Sequence, residues 1–197
     1  MHPLILASSS PRRRELLAEA GYEFAVVAPT IPEPDSVLEG LGPRKIAEAL
    51  AYFKARLVAD SHPEATVLGA DTVVALGPDI LGKPADRADA RRMLCSLSGS
   101  RHQVITGVAL LGPGQRRLIA SDVTYVHMRK MTEGELAGYL DSGEWIGKAG
   151  AYAIQETADR YITAVEGSFS NVVGLPIELL ERMMAQFARM PQSDRVD

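Results

Sequence analysis

The residues with the most chemical potential sit in short turns. Ser8, Ser9 and Ser10 lead into Pro11 and then Arg12, Arg13 and Arg14. Cations in the first turn of a helix oppose its dipole, so three of them there make sense beside an anion. A serine-rich turn that feeds a helix N-terminus is also an anion site by geometry. The competing reading is an exposed basic turn with its arginines in water, and on this stretch alone the two are evenly balanced. Asp71 stands in the apolar run Val67-Leu68-Gly69-Ala70-Asp71-Thr72-Val73-Val74. Burying a carboxylate there is costly unless it is paired or metal-bound, which favours a working acid over a strand-end Asp bonded to a turn. Lys83 in Gly82-Lys83-Pro84, Lys54 on an expected helix and Lys148 after Gly147 each read, taken singly, as exposed lysines. Glu33 is one acid in an acidic loop. Taken together, the cations suit a polyphosphate and the acids suit Mg²⁺ or Mn²⁺, with one carboxylate to orient or deprotonate water. Residue types and spacing lead to phosphoryl or nucleotidyl chemistry as a class, and no further.

Other chemistries lack their signatures. The sequence contains no Gly-x-x-x-x-Gly-Lys-Ser/Thr phosphate loop and no Gly-x-Gly-x-x-Gly dinucleotide fingerprint. His2, His62, His102 and His127 are scattered, which disfavours a histidine zinc site. Ser170 is outside any Gly-x-Ser-x-Gly elbow. A single cysteine, Cys95, excludes an internal disulfide and a cysteine zinc site, and it reads as a small core residue. The net charge of −4 argues against a general nucleic-acid binder held by bulk positive charge. No long apolar stretch follows a basic segment, so neither a signal peptide nor a membrane span is expected, and the cytoplasm is the default location.

The elements that must position these residues alternate. A strand over Leu4–Ala7 precedes a helix over 15–20, with Ser10 as N-cap and Pro11 at the first helical position. A second strand is expected over 24–28, then a Pro- and Glu-rich loop over 29–42 of a length often associated with function. Pro43 opens a helix to about Asp60, with Ile46, Ala47, Leu50, Ala51, Phe53 and Leu57 at helical spacing. Thr66–Leu76 reads as a central strand interrupted at Gly69-Ala70-Asp71-Thr72, followed by a turn at Gly77-Pro78-Asp79. Asp86 caps a helix to Leu97, stopped by Gly99. Segments 103–111 and 116–128, joined by Gly112-Pro113-Gly114, form a long hairpin. Thr132-Glu133-Gly134-Glu135 is a capping box for a helix to about Leu140. Strands are expected over 147–155 and 160–165, then a loop over 167–176 and a last helix over 177–189. The fold class is α/β, a mixed twisted sheet with flanking helices. Residues 1–190 form one domain and 191–197 a polar C-terminal tail. Met183, Met184 and Met190 on the last helix read as core and frayed end, with a homodimer interface as the alternative.

Several of these stretches, in this order, resemble the motifs of the Maf family. They are Ala7-Ser8-Ser9-Ser10-Pro11-Arg12-Arg13, Gly69-Ala70-Asp71-Thr72-Val73-Val74, Gly82-Lys83-Pro84 and Ser98-Gly99-Ser100-Arg101-His102-Gln103-Val104-Ile105-Thr106-Gly107. Lys148-Ala149-Gly150-Ala151-Tyr152-Ala153-Ile154-Gln155 and Val172-Val173-Gly174-Leu175-Pro176 complete the set, which covers nearly the whole chain. The resemblance implies a nucleoside triphosphate pyrophosphatase, of a family first named for septum-formation inhibition. It implies two lobes around a cleft, a fold related to inosine triphosphate pyrophosphatases, and a divalent metal cofactor, Mg²⁺ or Mn²⁺. On that resemblance Ser8, Ser10, Arg12 and Arg13 line the phosphate site, and Glu33, Lys54 and Lys83 contribute acid and base groups. Asp71 matches the proton acceptor that activates water, and Glu33 and Asp71 are the metal-ligand candidates. Arg12, Thr72 and Gln155 match positions that separate subfamilies and resemble the branch acting on dTTP and UTP. Phe53 stands where the family commonly has Glu, and Glu156 where it often has Gly. The alternatives are a 7-methyl-GTP pyrophosphatase of the same family and a nucleotide-sensing division regulator that binds without hydrolysis.

Overall fold

The structure, a computed structural model, describes residues 2–29, 40–155 and 157–191. Its frame is the hairpin announced by Gly112-Pro113-Gly114. Strands β5 (Arg101–Gly112) and β6 (Arg116–Met128) pair antiparallel from Arg101↔His127 to Gly112↔Arg116. Strand β3 (Thr66–Leu76) pairs antiparallel with β5 from Val67↔Leu111 to Ala75↔Gln103. β3 runs unbroken through Gly69-Ala70-Asp71-Thr72, where an interruption was expected; pairing with β5 along this length outweighs the local glycine.

The other edge of β3 is shared. Strand β1 (Leu4–Ala7) lies parallel to it over Thr66 to Gly69, and the short β4 (Asp79–Leu81) folds back on Val74 to Leu76. Between them, residues 70–73 face no described strand. The order is completed by β2 (Ala25–Val26), parallel to β1, and β7 (Ile162–Glu166) on β6, giving the mixed seven-stranded sheet β2-β1-β3-β5-β6-β7 with β4 attached to β3. β2 is two exposed residues, shorter than the five expected.

Period-two alternation gives β3 two different faces. Val67, Gly69, Asp71, Val73 and Ala75 meet helix α2 (Pro43–Ala59). Ala47, Ala51 and Ala55 repeat at every fourth position of α2 and are fully buried. A Cβ on Gly69 would stand 2.3 Å from the Ala51 carbonyl oxygen, and one on Gly107 2.2 Å from that of Ala47. The helix backbone therefore rests directly on the sheet. The opposite face carries Leu68 and Ala70 against Leu180, Met183 and Phe187 of α6 (Ile177–Ala188), with Met184 and Met190 packed at the margin. A further apolar cluster joins the far end of the hairpin to α3 (Arg87–Leu97) and α4 (Glu133–Ser142).

Caps fix several ends as expected. The Asp86 side chain accepts from Asp89 N, and the Thr132–Glu135 capping box closes in both directions. Helix α1 spans Pro11–Glu19, with Pro11 at its first position as expected, and Ser10 caps it by position only, without a side-chain bond. Cys95 is exposed on α3, not core, because the buried face of that helix is Ala90, Met93, Leu94 and Leu97. Segment 147–155 is not a strand. Gly150 (φ 69°) and Ala151 (φ 61°) are left-handed, and the chain makes a 3₁₀ turn over Ala149–Ala151. A second 3₁₀ turn, Thr157–Tyr161, precedes β7. The expected loop before α6 contains a one-turn helix α5 (Phe169–Val173), capped by Ser168. No helix among the described residues is long and apolar enough to cross a membrane.

Candidate active site

Where β1 ends at Ala7 and β4 has not yet begun, a cleft of about 640 Å³ opens, a size suited to a small ligand. Its lining includes Ser8, Ser10, Arg12, Arg13, Lys54, Asp71, Thr72, Lys83 and Gln155. Nine of the ten residues singled out from sequence thus converge, from five separated segments. Glu33 lies outside the described residues.

Asp71 is brought into the cleft by the alternation of β3, on the face that meets α2. Its carboxylate Oδ1 accepts from Lys54 Nζ of α2, and both side chains are largely buried. The close seat of α2 on Gly69 and Gly107 is what carries Lys54 to this acid. A buried acid with a bonded cation is the paired arrangement that makes such burial tolerable. Lys54, read singly as an exposed helix lysine, is instead bound here.

The serine turn and α1 form the next wall. Ser8 is buried and its Oγ accepts from Ser10 N (3.2 Å) and, at the limit of bonding, from Arg13 Nη1 (3.5 Å). Arg13 does not extend into water. Its Nε donates to the Gly174 carbonyl at 2.8 Å and its Nη2 to Thr72 Oγ1 at 3.1 Å. Gly174 suits this bond through its backbone, whose φ of 129° is one that residues with side chains rarely adopt. Arg12, on the same turn, also lines the cleft, whereas Arg14 is exposed and absent from its lining.

The third wall is the strap through Gly147 to Gln155. Gly150 N donates to the Gly82 carbonyl at 3.0 Å, so the turns bearing Lys83 and Lys148 are tied backbone to backbone. A Cβ on Gly150 would stand 2.9 Å from Val74, which requires glycine there. Tyr152 of the strap meets His102 of β5 at 2.7 Å. Ser100 Oγ donates to the Leu97 carbonyl, so it accepts from His102 Nδ1, and Nε2 accepts the Tyr152 proton. His102 is 1% exposed, and burial, helped by nearby His127, lowers its pKa to about 4. The same burial raises that of Tyr152.

The described lining residues include the cations Arg12, Arg13, Lys54, Lys83 and Lys148 and the carboxylates Asp71 and Glu15, the latter exposed. Arginine and lysine are the side chains that make charge-assisted hydrogen bonds to phosphate oxygens. Lys148, weighed in sequence as an exposed lysine and given no role, Tyr152 and the network behind Arg13 are additions to the residues assigned from sequence. The Lys-Ala-Gly-Ala-Tyr run was the available signal for the first two, and no local pattern marks the third.

Comparison with known proteins places this geometry in context. A family model described as Maf-like protein matches residues 3–187. A dTTP/UTP pyrophosphatase of Symbiobacterium thermophilum is 46% identical over 187 residues, covering 95% of each chain. One of Myxococcus xanthus is 49% identical over 183 residues, 91% of each chain. The Ham1 protein of Staphylococcus aureus shares the fold at a TM-score of 0.53 with 14% sequence identity, across 93% of this chain and 98% of its own.

Proposed function

The chain belongs to the Maf-like family, and from that premise we propose that it hydrolyses dTTP and UTP to the monophosphate and pyrophosphate. The observation that carries this reading is the Asp71–Lys54 pair at the break in the sheet, in a cleft that Arg12, Arg13, Lys83 and Lys148 also line. Names of relatives 46–49% identical over more than nine-tenths of the chain support the substrate.

In this reading the triphosphate lies along the Ser8–Arg13 turn. Arg12, Arg13, Lys83 and Lys148 neutralise its oxygens, and the hydroxyls of Ser8 and Ser10 add uncharged contacts. Lys54 holds Asp71 through Oδ1, leaving Oδ2 to accept a proton from water. That water attacks the α-phosphorus, its proton passes to Asp71, and the bond to the bridging oxygen breaks with pyrophosphate as the leaving group. Gln155 carries a donor and an acceptor on one amide, complementary to a pyrimidine O4 and N3–H.

No group of three or more His, Cys, Asp or Glu side chains among the described residues could hold a metal by itself. The cleft fits a hard cation that arrives on the substrate, since Mg²⁺ keeps several waters and needs one or two carboxylates besides phosphate oxygens. Asp71 would supply one, and Glu33 is the second candidate. Bound there, the cation would withdraw charge from the phosphates at the reacting centre.

The test is pyrophosphate release from dTTP, UTP, CTP, GTP and 7-methyl-GTP with Mg²⁺ or Mn²⁺. Preferential turnover of dTTP and UTP is expected. Release from 7-methyl-GTP alone would transfer the chain to another substrate, and release from none would overturn the hydrolase reading.

A further inference from the structure

Thr106 of β5 has no part in the chemistry above, yet it is fully buried directly opposite Thr72 on β3. Its hydroxyl lies 3.0 Å from the Asn171 carbonyl oxygen and 2.9 Å from Thr72 Oγ1. A carbonyl oxygen only accepts, so the single proton of Thr106 goes to Asn171. Thr72 must then donate within the threonine pair, and its oxygen accepts from Arg13 Nη2. The direction of every proton is set from the guanidinium to the carbonyl.

Both ends of this chain are anchored. Asn171 is fully buried, and its amide nitrogen donates to the Val104 carbonyl (3.0 Å) and to Thr124 Oγ1 (2.9 Å). At the other end Arg13 is gripped by the Gly174 carbonyl. The carbonyl that orders the threonine protons therefore cannot swing away, and the guanidinium has a fixed acceptor on β3.

We propose that Thr106 is a positioning residue: it takes the Thr72 proton, so fixes the Thr72 lone pairs toward Arg13, and holds Arg13 in the pose that meets the triphosphate. This rests on the pyrophosphatase reading. Its consequence is that Thr72 has no proton to give a ligand; it can only accept from one. Valine at 106 has the right shape but cannot receive the Thr72 proton. That proton would be left without its acceptor, and the Thr72 lone pairs would no longer be fixed toward the Arg13 N–H. Serine at 106 restores the acceptor.

The experiment compares wild type, Thr106→Val, Thr106→Ser and each in an Arg13→Ala background. Affinity for non-hydrolysable α,β-imido-dTTP with Mg²⁺ is read by calorimetry, kcat/KM is read by pyrophosphate release, and the Arg13 guanidinium N–H signals are read by NMR. Thr106→Val should weaken affinity and lower kcat/KM by about tenfold, the scale of one hydrogen bond to a charged group. It should also average the Arg13 signals, whereas Thr106→Ser stays within about twofold and keeps them. In Arg13→Ala the valine substitution should cost little more, because both act on one contact. Unchanged Arg13 signals in Thr106→Val, or an equal further loss of affinity in Arg13→Ala, would overturn the positioning role. A wild type that neither binds nor hydrolyses would instead sink the pyrophosphatase reading, and the Arg13 signals would still decide the clamp.

Discussion

Adding one methyl group at Gly107 should disable the site without touching any residue that lines it. A Cβ there would stand 2.2 Å from the Ala47 oxygen, 2.3 Å from its carbon and 2.5 Å from Glu48 N, all backbone atoms of α2. Ordinary contact begins at 3.4 Å, so the helix must lift by about 1.2 Å or the strand must bow by as much. No rotamer change can absorb this, since none of the three atoms belongs to a side chain. Lys54 rides on the same helix and bonds Asp71 across the interface that would open. A misplacement of about 1 Å can cost on the order of 100-fold in rate, so Gly107→Ala should lower kcat/KM for dTTP by about that factor. Overpacking should cost about 3 kcal/mol, the upper end of its usual range, and lower Tm by roughly 6–12 °C. Pyrophosphate release and thermal unfolding read the two effects. Gly138→Ala at an exposed position of α4, where a Cβ meets nothing within 4 Å, is the control and should be neutral or slightly stabilising. A Gly107→Ala enzyme with wild-type kcat/KM and Tm would refute the claim that the close seat of α2 places Lys54.

Asp71→Asn should reduce kcat by about 10²- to 10⁴-fold with the protein still folded by circular dichroism; near-normal turnover would remove Asp71 as the base. Lys148→Ala should raise KM for dTTP by about tenfold with a smaller change in kcat, and an unchanged KM would put Lys148 outside the phosphate contacts. His102 titrates near 4 when folded against an ordinary 6.5, so between those values the unfolded chain binds more protons than the folded one. Stability should therefore fall as pH drops from 6.5 to 4, by about 3 kcal/mol from this group. Urea unfolding of His102→Gln should lack that part of the slope, and an identical slope in both proteins would disprove it.

The long-range pairings that were legible in sequence carry explicit punctuation. Gly112-Pro113-Gly114 marks the hairpin, Asp86 and the Thr132 capping box mark helix starts, and the α2 periodicity marks Ala47, Leu50 and Ala51 of its buried stripe but misses Ala55 and Val58. Elements set by tertiary contact were not legible. Gly150 and Ala151 turn left-handed because the strap docks on Gly82 and Val74, which no window of sequence around 147–155 contains. The unbroken β3 depends on β5, more than thirty residues away. The sequence identified the cleft side chains by type but not their partners. Lys54 is ambiguous from its own surroundings in sequence, and enters the site only through the family resemblance, because its acid lies on another element. Arg13 was read as a direct phosphate ligand, and the structure adds that it is also bonded to Gly174 and Thr72.

The break in the sheet accounts for the placement of the acid. A catalytic carboxylate is most often offered by a loop, where flexibility costs precision. Here β1 stops at Ala7 and β4 starts at Asp79, while β3 continues between them. Asp71 thus sits in the middle of a strand held along its other edge by β5, yet it lines an open cleft. Alternation then divides the work between neighbours: Asp71 turns to α2 and its lysine, and Thr72 turns to Thr106 and Arg13. A one-residue slip of β3 against β5 would exchange those faces, placing the acid in the Arg13 network and the threonine beside Lys54. The continuous register from Val67 to Ala75 is therefore as necessary to the proposed chemistry as the acid itself.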